Sequence, residues 1–247
     1  AVASAKSHVD GEVKKVHVAL NSGMYKNAFT CGIPNSSRFG NLYAAALGAV
    51  AADAAKGLES LADITPEDDK KASKMVDDHK VEVVLDHIGS EITIDATVET
   101  ETDSCTVHIR HSHTNIDSIE KNNEIIYQAD ADHASEAQAE DEVPAIHRYT
   151  LKELLQYVRE VPVSEIDFIR EAFSMNMDLL EEGIQSDRTT ITRQLLKENG
   201  HKIISEDAKS TAQLLCNGAI EARVLGLSRP AMSITGSGAH GILSLIH

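Results

Sequence analysis

Residues 80–130 read KVEVVLDHIGSEITIDATVETETDSCTVHIRHSHTNIDSIEKNNEIIYQAD. Four β-like segments lie in this run, KVEVVLDH, SEITIDATVET, SCTVHIRHSHTNI and NEIIYQAD, with Asn122 and Asn123 as turn residues between the last two. Upstream, EVKKVHVAL at 12–20 alternates through Val13, Val16, Val18 and Leu20 and predicts one more strand. GIPNSSRFGN then reads as a loop punctuated by Gly32, Pro34 and Gly40. The Ala-rich NLYAAALGAVAADAAKGLESLA predicts a helix with Asn41 as N-cap. Gly48 inside it predicts tight packing, because an interior helical glycine costs about 1 kcal/mol against alanine. ITPEDDKKASKMVDDH predicts a second helix, capped by Thr65, with Pro66 at its first position and acids in its first turn. A strand, two helices and then a run of strands argue for an α+β layer: a mainly antiparallel sheet with helices on one face.

Downstream, ADADHASEAQAEDEVPA is acidic and without apolar period, and marks a linker. The expected boundaries are an α+β domain at 1–130, a linker at 131–147 and an all-helical second part at 148–247. In that part Thr150 and Glu153 form a capping box, and Leu151, Leu154, Leu155 and Val158 make one apolar stripe. Pro162 ends this helix, and Ser164 is expected to cap the next, which runs to about Gly183. Two more helical segments are expected, around 189–199 and 206–225. The apolar ILSLIH directly after a glycine loop is an odd end for a domain, so the helical part is expected to be truncated there.

The 247 residues suffice for one large domain or two ordinary ones. With no Trp and 42% hydrophobic residues, the core must be built mostly from Ala, Val, Ile and Leu. A formal charge of −16, from 39 acidic against 23 basic residues, argues against nucleic acid as a partner. Cys31, Cys105 and Cys216 are scattered without the spacing of a disulfide framework or a zinc site. No apolar run is long enough to span a membrane, and the first residues lack a signal peptide's apolar core, so a cytoplasmic protein is expected.

Three groups could carry chemistry. In SITGSGAHGIL, Gly236, Gly238 and Gly241 spell the G-x-G-x-x-G of a dinucleotide turn. That turn works only between a strand and a helix, with an acid about twenty positions on. Six residues follow Gly241, too few for a useful helix, a second strand or the acid. The stretch is therefore read as a small-residue loop. His108, His111 and His113 form the second group: a strand extended through His113 would put His111 and His113 on one face and His108 on the other. Metal ligation, ordinary surface or core histidines, and substrate contact are all compatible with that pattern. The third group is Tyr25 to Asn27 with Arg38, charge beside glycine-rich turns. It suits a small anionic ligand, and solvated loop charges equally well.

Four stretches together resemble one family: GMYKNAFTCGIPNSSRFGNLYAAALGAVAADAAKGLESL, HSHTNI, VREVPVSEIDFI and ARVLGLSRPAMSITGSGAHGI. Their order resembles that of the L-cysteine desulfidase and serine dehydratase alpha-chain-like group, over about residues 13–242. The resemblance implies a bacterial cytosolic lyase that converts L-cysteine to pyruvate, ammonia and sulfide, or deaminates L-serine. It also implies a four-iron four-sulfur cluster, in place of pyridoxal phosphate, whose open iron polarises the leaving group. Matched motif by motif, it places His113, Thr114, Asn115, Ser237, Gly238 and His240 at the substrate, and Lys26 and Asn27 beside them. The family's cluster cysteines belong to a GCTEP-like segment before this chain and to a helical part after the glycine loop. None of Cys31, Cys105 and Cys216 matches them, so no metal ligand is assigned, no cluster is expected on this chain alone, and the catalytic base is unassigned. Where the family reads GSGNQG, this chain has GSGAHG. The expectation is a large fragment of an iron-sulfur amino-acid lyase, inactive by itself, taking L-cysteine or L-serine and forming a homodimer. The competing expectation is a non-catalytic binding or oligomerisation module.

Overall fold

Alternation along β1 (Lys15–Asn21) buries Val16, Val18 and Leu20 and leaves Lys15 and His17 on the opposite face, the period of a strand that packs on one side. The computed structural model describes residues 1–129, 145–234 and 238–246. It divides the chain into two units, Ala1–Ala139 and Glu140–His247.

In the first unit β1 joins β2 (Val81–His87), β3 (Thr93–Glu99), β4 (Ser104–Arg110), β5 (Ile116–Lys121) and β6 (Glu124–Gln128) in one sheet of order β2-β1-β3-β4-β5-β6. Only β1 and β2 run parallel; the other neighbours are antiparallel. Register aligns the apolar positions in rows, Val18 beside Ala96 beside Val107, and Leu20 beside Ile94 beside Ile109. Helices α1 (Val2–Ser7) and α3 (Gly40–Val50) cover that face, and α4 (Pro66–Asp77) packs on α3. This is the α+β layer with helices on one face. Gly48 lies where α1 crosses α3: a Cβ there would stand 2.9 Å from Val2 Cβ, the tight packing its position in the sequence implies.

Two details differ from expectation. The third β segment ends at Arg110, because His111 takes a left-handed backbone (φ 64°) and residues 111–115 form a turn. A separate strand, β5, follows, so His111 and His113 do not share a strand face. The helix expected from Asn41 to Ala62 stops at Val50, and Phe39 rather than Asn41 occupies its N-cap. A 3-10 segment, Ala54–Glu59, replaces the rest. Asp53 caps it through Ala55 N–H at 2.9 Å, and Gly57 within it is left-handed (φ 55°). Between β1 and α3 sits a short helix, α2 (Ser22–Ala28), capped by Asn21.

The second unit is helical. Its elements are α5 (Leu151–Glu160), α6 (Val163–Ile166), α7 (Glu171–Gln185), α8 (Ile191–Glu198), α9 (Ala208–Val224) and α10 (Gly238–Ile246). Thr150 and Glu153 do form a capping box on α5. The apolar stripe is there too, yet Leu151 and Val158 are 73% and 71% exposed. Ser164 caps nothing: Pro162 is the N-cap of α6, a 3-10 turn at Asp167–Arg170 follows, and α7 begins at Glu171. The core of this unit joins Leu179 and Leu180 of α7, Cys216, Ala219 and Ala222 of α9, and Ile242 and Ile246 of α10. Residues 131–144 of the expected linker lie outside the described residues; Ala145–Arg148 form a 3-10 turn. The helix judged too short to follow the glycine run exists as α10, which starts at Gly238 instead of after Gly241. Among the described residues, no helix is long and apolar enough to cross a membrane.

Candidate functional site

The turn after β4 is built by Asn115. Its side-chain Nδ2 donates to the Arg110 carbonyl at 3.1 Å, and its own carbonyl accepts from Arg110 N–H at 3.2 Å. His111 N–H donates to the Ile92 carbonyl at 3.1 Å. Asn115 therefore shapes the turn, while His113 and Thr114 project from it and line a cleft of about 80 Å³ with Ser4, Gly57, Ser60 and Ile109. The three histidines do not converge. His108 lies on the open sheet face, with Nδ1 2.6 Å from Asp95 Oδ1 and Nε2 3.8 Å from Glu120. Arg110 shares the same Asp95 oxygen at 2.6 Å.

Because β1 and β4 run in the same direction in the sheet, α2 starts at the same end of the strands as the His113 turn. Asn21, 1% exposed, fixes that start: its Nδ2 donates to the Gly89 carbonyl at 2.9 Å. Lys26 and Asn27 are exposed on α2. Among the described residues, no hydrogen bond or ion pair joins their side chains to His113, Thr114 or Asn115. Arg38 lies instead over the Tyr43 ring, 5.3 Å from its centroid, and 4.0 Å from Asp69.

In the second unit three contacts hold described residues on either side of 235–237. Asn176 of α7, fully buried, clamps the backbone of one residue on both sides: its Nδ2 donates to the Met232 carbonyl at 3.0 Å and its Oδ1 accepts from Met232 N–H at 3.1 Å. Gly241 lets the chain lie directly on α10, since a Cβ there would stand 2.1 Å from Ser233 Oγ and 2.3 Å from Ile234 N. Gly238 opens α10 against the Arg223 guanidinium, whose atoms stand 2.4–2.8 Å from where its Cβ would be. His240 is exposed in the first turn of that helix, and Ser237 lies outside the described residues. A helix start beside a guanidinium is electropositive and complements a carboxylate.

Asn176 and Arg223 escaped the sequence reading. For Asn176 a signal exists: it falls on the stripe Ala172, Leu179, Leu180 and Gly183, where a poor helix former among apolar residues demands a partner. For Arg223 there is none, since a cation in a helix's last turn is ordinary.

An iron-sulfur cluster needs thiolates that converge. Cys31 is exposed, with Sγ 2.8 Å from the Asn27 carbonyl. Cys105 is buried under the sheet, where burial pushes its thiol up against a smaller opposing pull from Lys121. Cys216 is buried in the helical core, its thiol likewise raised by burial. Among the described residues, no group of three or more His, Cys, Asp or Glu is placed to hold a metal ion. These residues do not fit a cluster.

Residues 55–247 match the family described as serine dehydratase alpha chain. A UPF0597 protein of Clostridium botulinum (strain Okra / Type B1) is 34% identical over 254 residues, covering 100% of this chain and 58% of that protein. A UPF0597 protein of Dichelobacter nodosus is 34% identical over 98% of this chain and 55% of its own length. One of Caldanaerobacter subterraneus is 30% identical over 100% of this chain and 56% of its own. The chain thus spans a little over half the length of these curated relatives. No solved structure matches it.

Proposed function

The chain belongs to the serine dehydratase alpha chain family, and from that membership we propose that it carries the amino-acid-holding part of a lyase acting on L-serine or L-cysteine. The reaction removes the Cα proton and breaks the Cβ–O or Cβ–S bond, releasing water or sulfide. The resulting enamine takes up water and yields pyruvate and ammonia.

The observation that supports this reading is the start of α10. Gly238 opens the helix against the Arg223 guanidinium, and six residues earlier in the chain Asn176 clamps the backbone N–H and carbonyl of Met232. A carboxylate seated there gains from the helix start and from the guanidinium beside it. In the first unit, His113 and Thr114 are the candidate polar contacts and Asn115 holds their turn. Lys26 and Asn27 remain candidates without a contact to that turn. The three thiols here do not supply a cluster's ligands, because Cys105 and Cys216 are buried in the cores of different units and Cys31 is exposed.

The test is anaerobic pyruvate release from L-serine and L-cysteine, with iron and sulfide analysis, on this chain beside a polypeptide extended to the length of its relatives. Turnover in the longer protein alone is the expected result. A longer protein that neither turns over either amino acid nor binds iron would end the lyase reading. The exposed stripe of Leu151, Leu155 and Val158 favours a second reading, an oligomerisation module, which light scattering would support through a homodimer lost on Leu155→Lys.

A further inference from the structure

The geometry points to a homodimer in which the apolar stripe of α5 in one copy lies in a groove along α9 of a second copy, whose own α5 returns the contact. This inference rests on the oligomerisation reading, to which it gives two surfaces, and is independent of the lyase reading. α5 is a capped helix with an uncovered apolar side: Leu151, Leu155 and Val158, spaced i, i+4, i+7, are 73%, 50% and 71% exposed. A helix this short is marginal in water by itself, so its stability depends on what covers the stripe.

α9 carries the matching face. Ala208, Ala212 and Leu215 repeat the i, i+4, i+7 spacing and continue the side on which Ala219 and Ala222 are buried in the core. Over this first half the side is open, and with Ile204, Cys216 and Ile246 it lines a groove of about 340 Å³. A cavity of about 150 Å³ takes a benzene, so this groove takes two or three aliphatic side chains. The small Ala208 and Ala212 let a second helix approach closely. Within one copy the two surfaces do not meet, since no α5 residue lines the groove and the stripe stays exposed.

Charge selects the pairing. Lys152 and Arg159 lie on one side of α5 and border Leu151 and Leu155. Glu206 stands at the rim of the groove, next to Asp207 at the α9 N-cap. Two α5 stripes packed antiparallel on each other would bring the cations together, whereas in the groove they meet carboxylates. One helix in one groove buries less than the about 800 Å² per partner of a standard interface, and a two-fold exchange makes the contact twice.

The test uses the 247-residue chain carrying Cys31→Ser, which removes the exposed thiol. Light scattering at roughly 50 μM should give a dimer, as a micromolar Kd requires. Leu155→Cys combined with Ala212→Cys, oxidised with copper phenanthroline, should yield a covalent dimer whose digest joins the peptides that carry positions 155 and 212. Glu206→Lys, an exposed change, should raise the dimer Kd about three- to tenfold, and adding Arg159→Glu should restore most of the loss. A chain that stays monomeric would overturn both the exchange and the oligomerisation reading. A dimer linked only from position 155 to position 155, or a 155–212 link formed inside a single chain, would overturn the exchange alone. So would a Kd insensitive to Glu206→Lys.

Discussion

Glu221 on α9 accepts from Thr192 twice, from its backbone N–H at 2.7 Å and its hydroxyl at 2.6 Å. The other carboxylate oxygen accepts from Thr190 N–H at 2.9 Å and Ile191 N–H at 3.0 Å. Thr190, at the N-cap of α8, makes no capping bond of its own, so a residue about thirty positions away in sequence caps that helix. Burial opposes the charge on Glu221, but the bonds from Thr192, Thr190 and Ile191 together outweigh it and hold the carboxyl below its ordinary 4.5. A depressed folded-state value means that the stabilisation is complete above about 4.5 and fades as pH falls through the lower folded-state value. Glu221→Gln should cost about 1–3 kcal/mol at neutral pH. Urea unfolding of the two proteins from pH 7 down to pH 3 should show the gap closing in acid; a gap independent of pH would contradict the charge argument.

The α1–α3 crossing leaves no room for a methyl group. At Gly48 a Cβ would meet Val2 Cβ at 2.9 Å and Cγ1 at 3.1 Å. Gly48→Ala gains about 1 kcal/mol of helix propensity but overpacks the contact by about 1–3 kcal/mol. Net destabilisation is expected, and Val2→Ala in the same chain should relieve it. A double-mutant cycle by chemical denaturation measures the coupling, expected at about 1 kcal/mol; simple additivity would mean that the helices have already moved apart.

The two glycines of α10 should respond differently. A Cβ on Gly238 meets the exposed, flexible end of Arg223, which can swing aside, whereas a Cβ on Gly241 meets the Ile234 backbone. Gly238→Ala should leave the melting temperature nearly unchanged, and Gly241→Ala should lower it by several degrees, about what 1–3 kcal/mol of overpacking produces in a chain of this size. Equal effects would show that the segment at Ser233 and Ile234 yields as easily as an arginine side chain.

Thiol labelling tests the placement of the cysteines. Cys31 is exposed, while Cys105 and Cys216 are buried with thiols made harder to ionise by desolvation. The native protein should react rapidly with a disulfide reagent at Cys31 alone, and the other two should react only on unfolding. Rapid reaction at Cys216 would mean that α9 and α10 separate in solution.

Local pattern carried much of this architecture. The alternation of Val16, Val18 and Leu20, the N-cap at Thr65, the capping box at Thr150, and the Asn122–Asn123 turn are all visible in short windows, because each expresses a preference of a few adjacent residues. β5 was hidden because His111 to Asn115 read as the continuation of a strand, and only the left-handed His111 with the Asn115 bonds separates the two. The glycine run showed its small residues but not its purpose. That Asn176 meets Met232, that Glu221 meets Thr192, and that Arg223 lies on Gly238 depend on how α7, α9 and α10 pack, and a buried polar side chain records only that it needs a partner. Which partner it finds is set by distances between elements far apart in the chain, which no periodicity encodes.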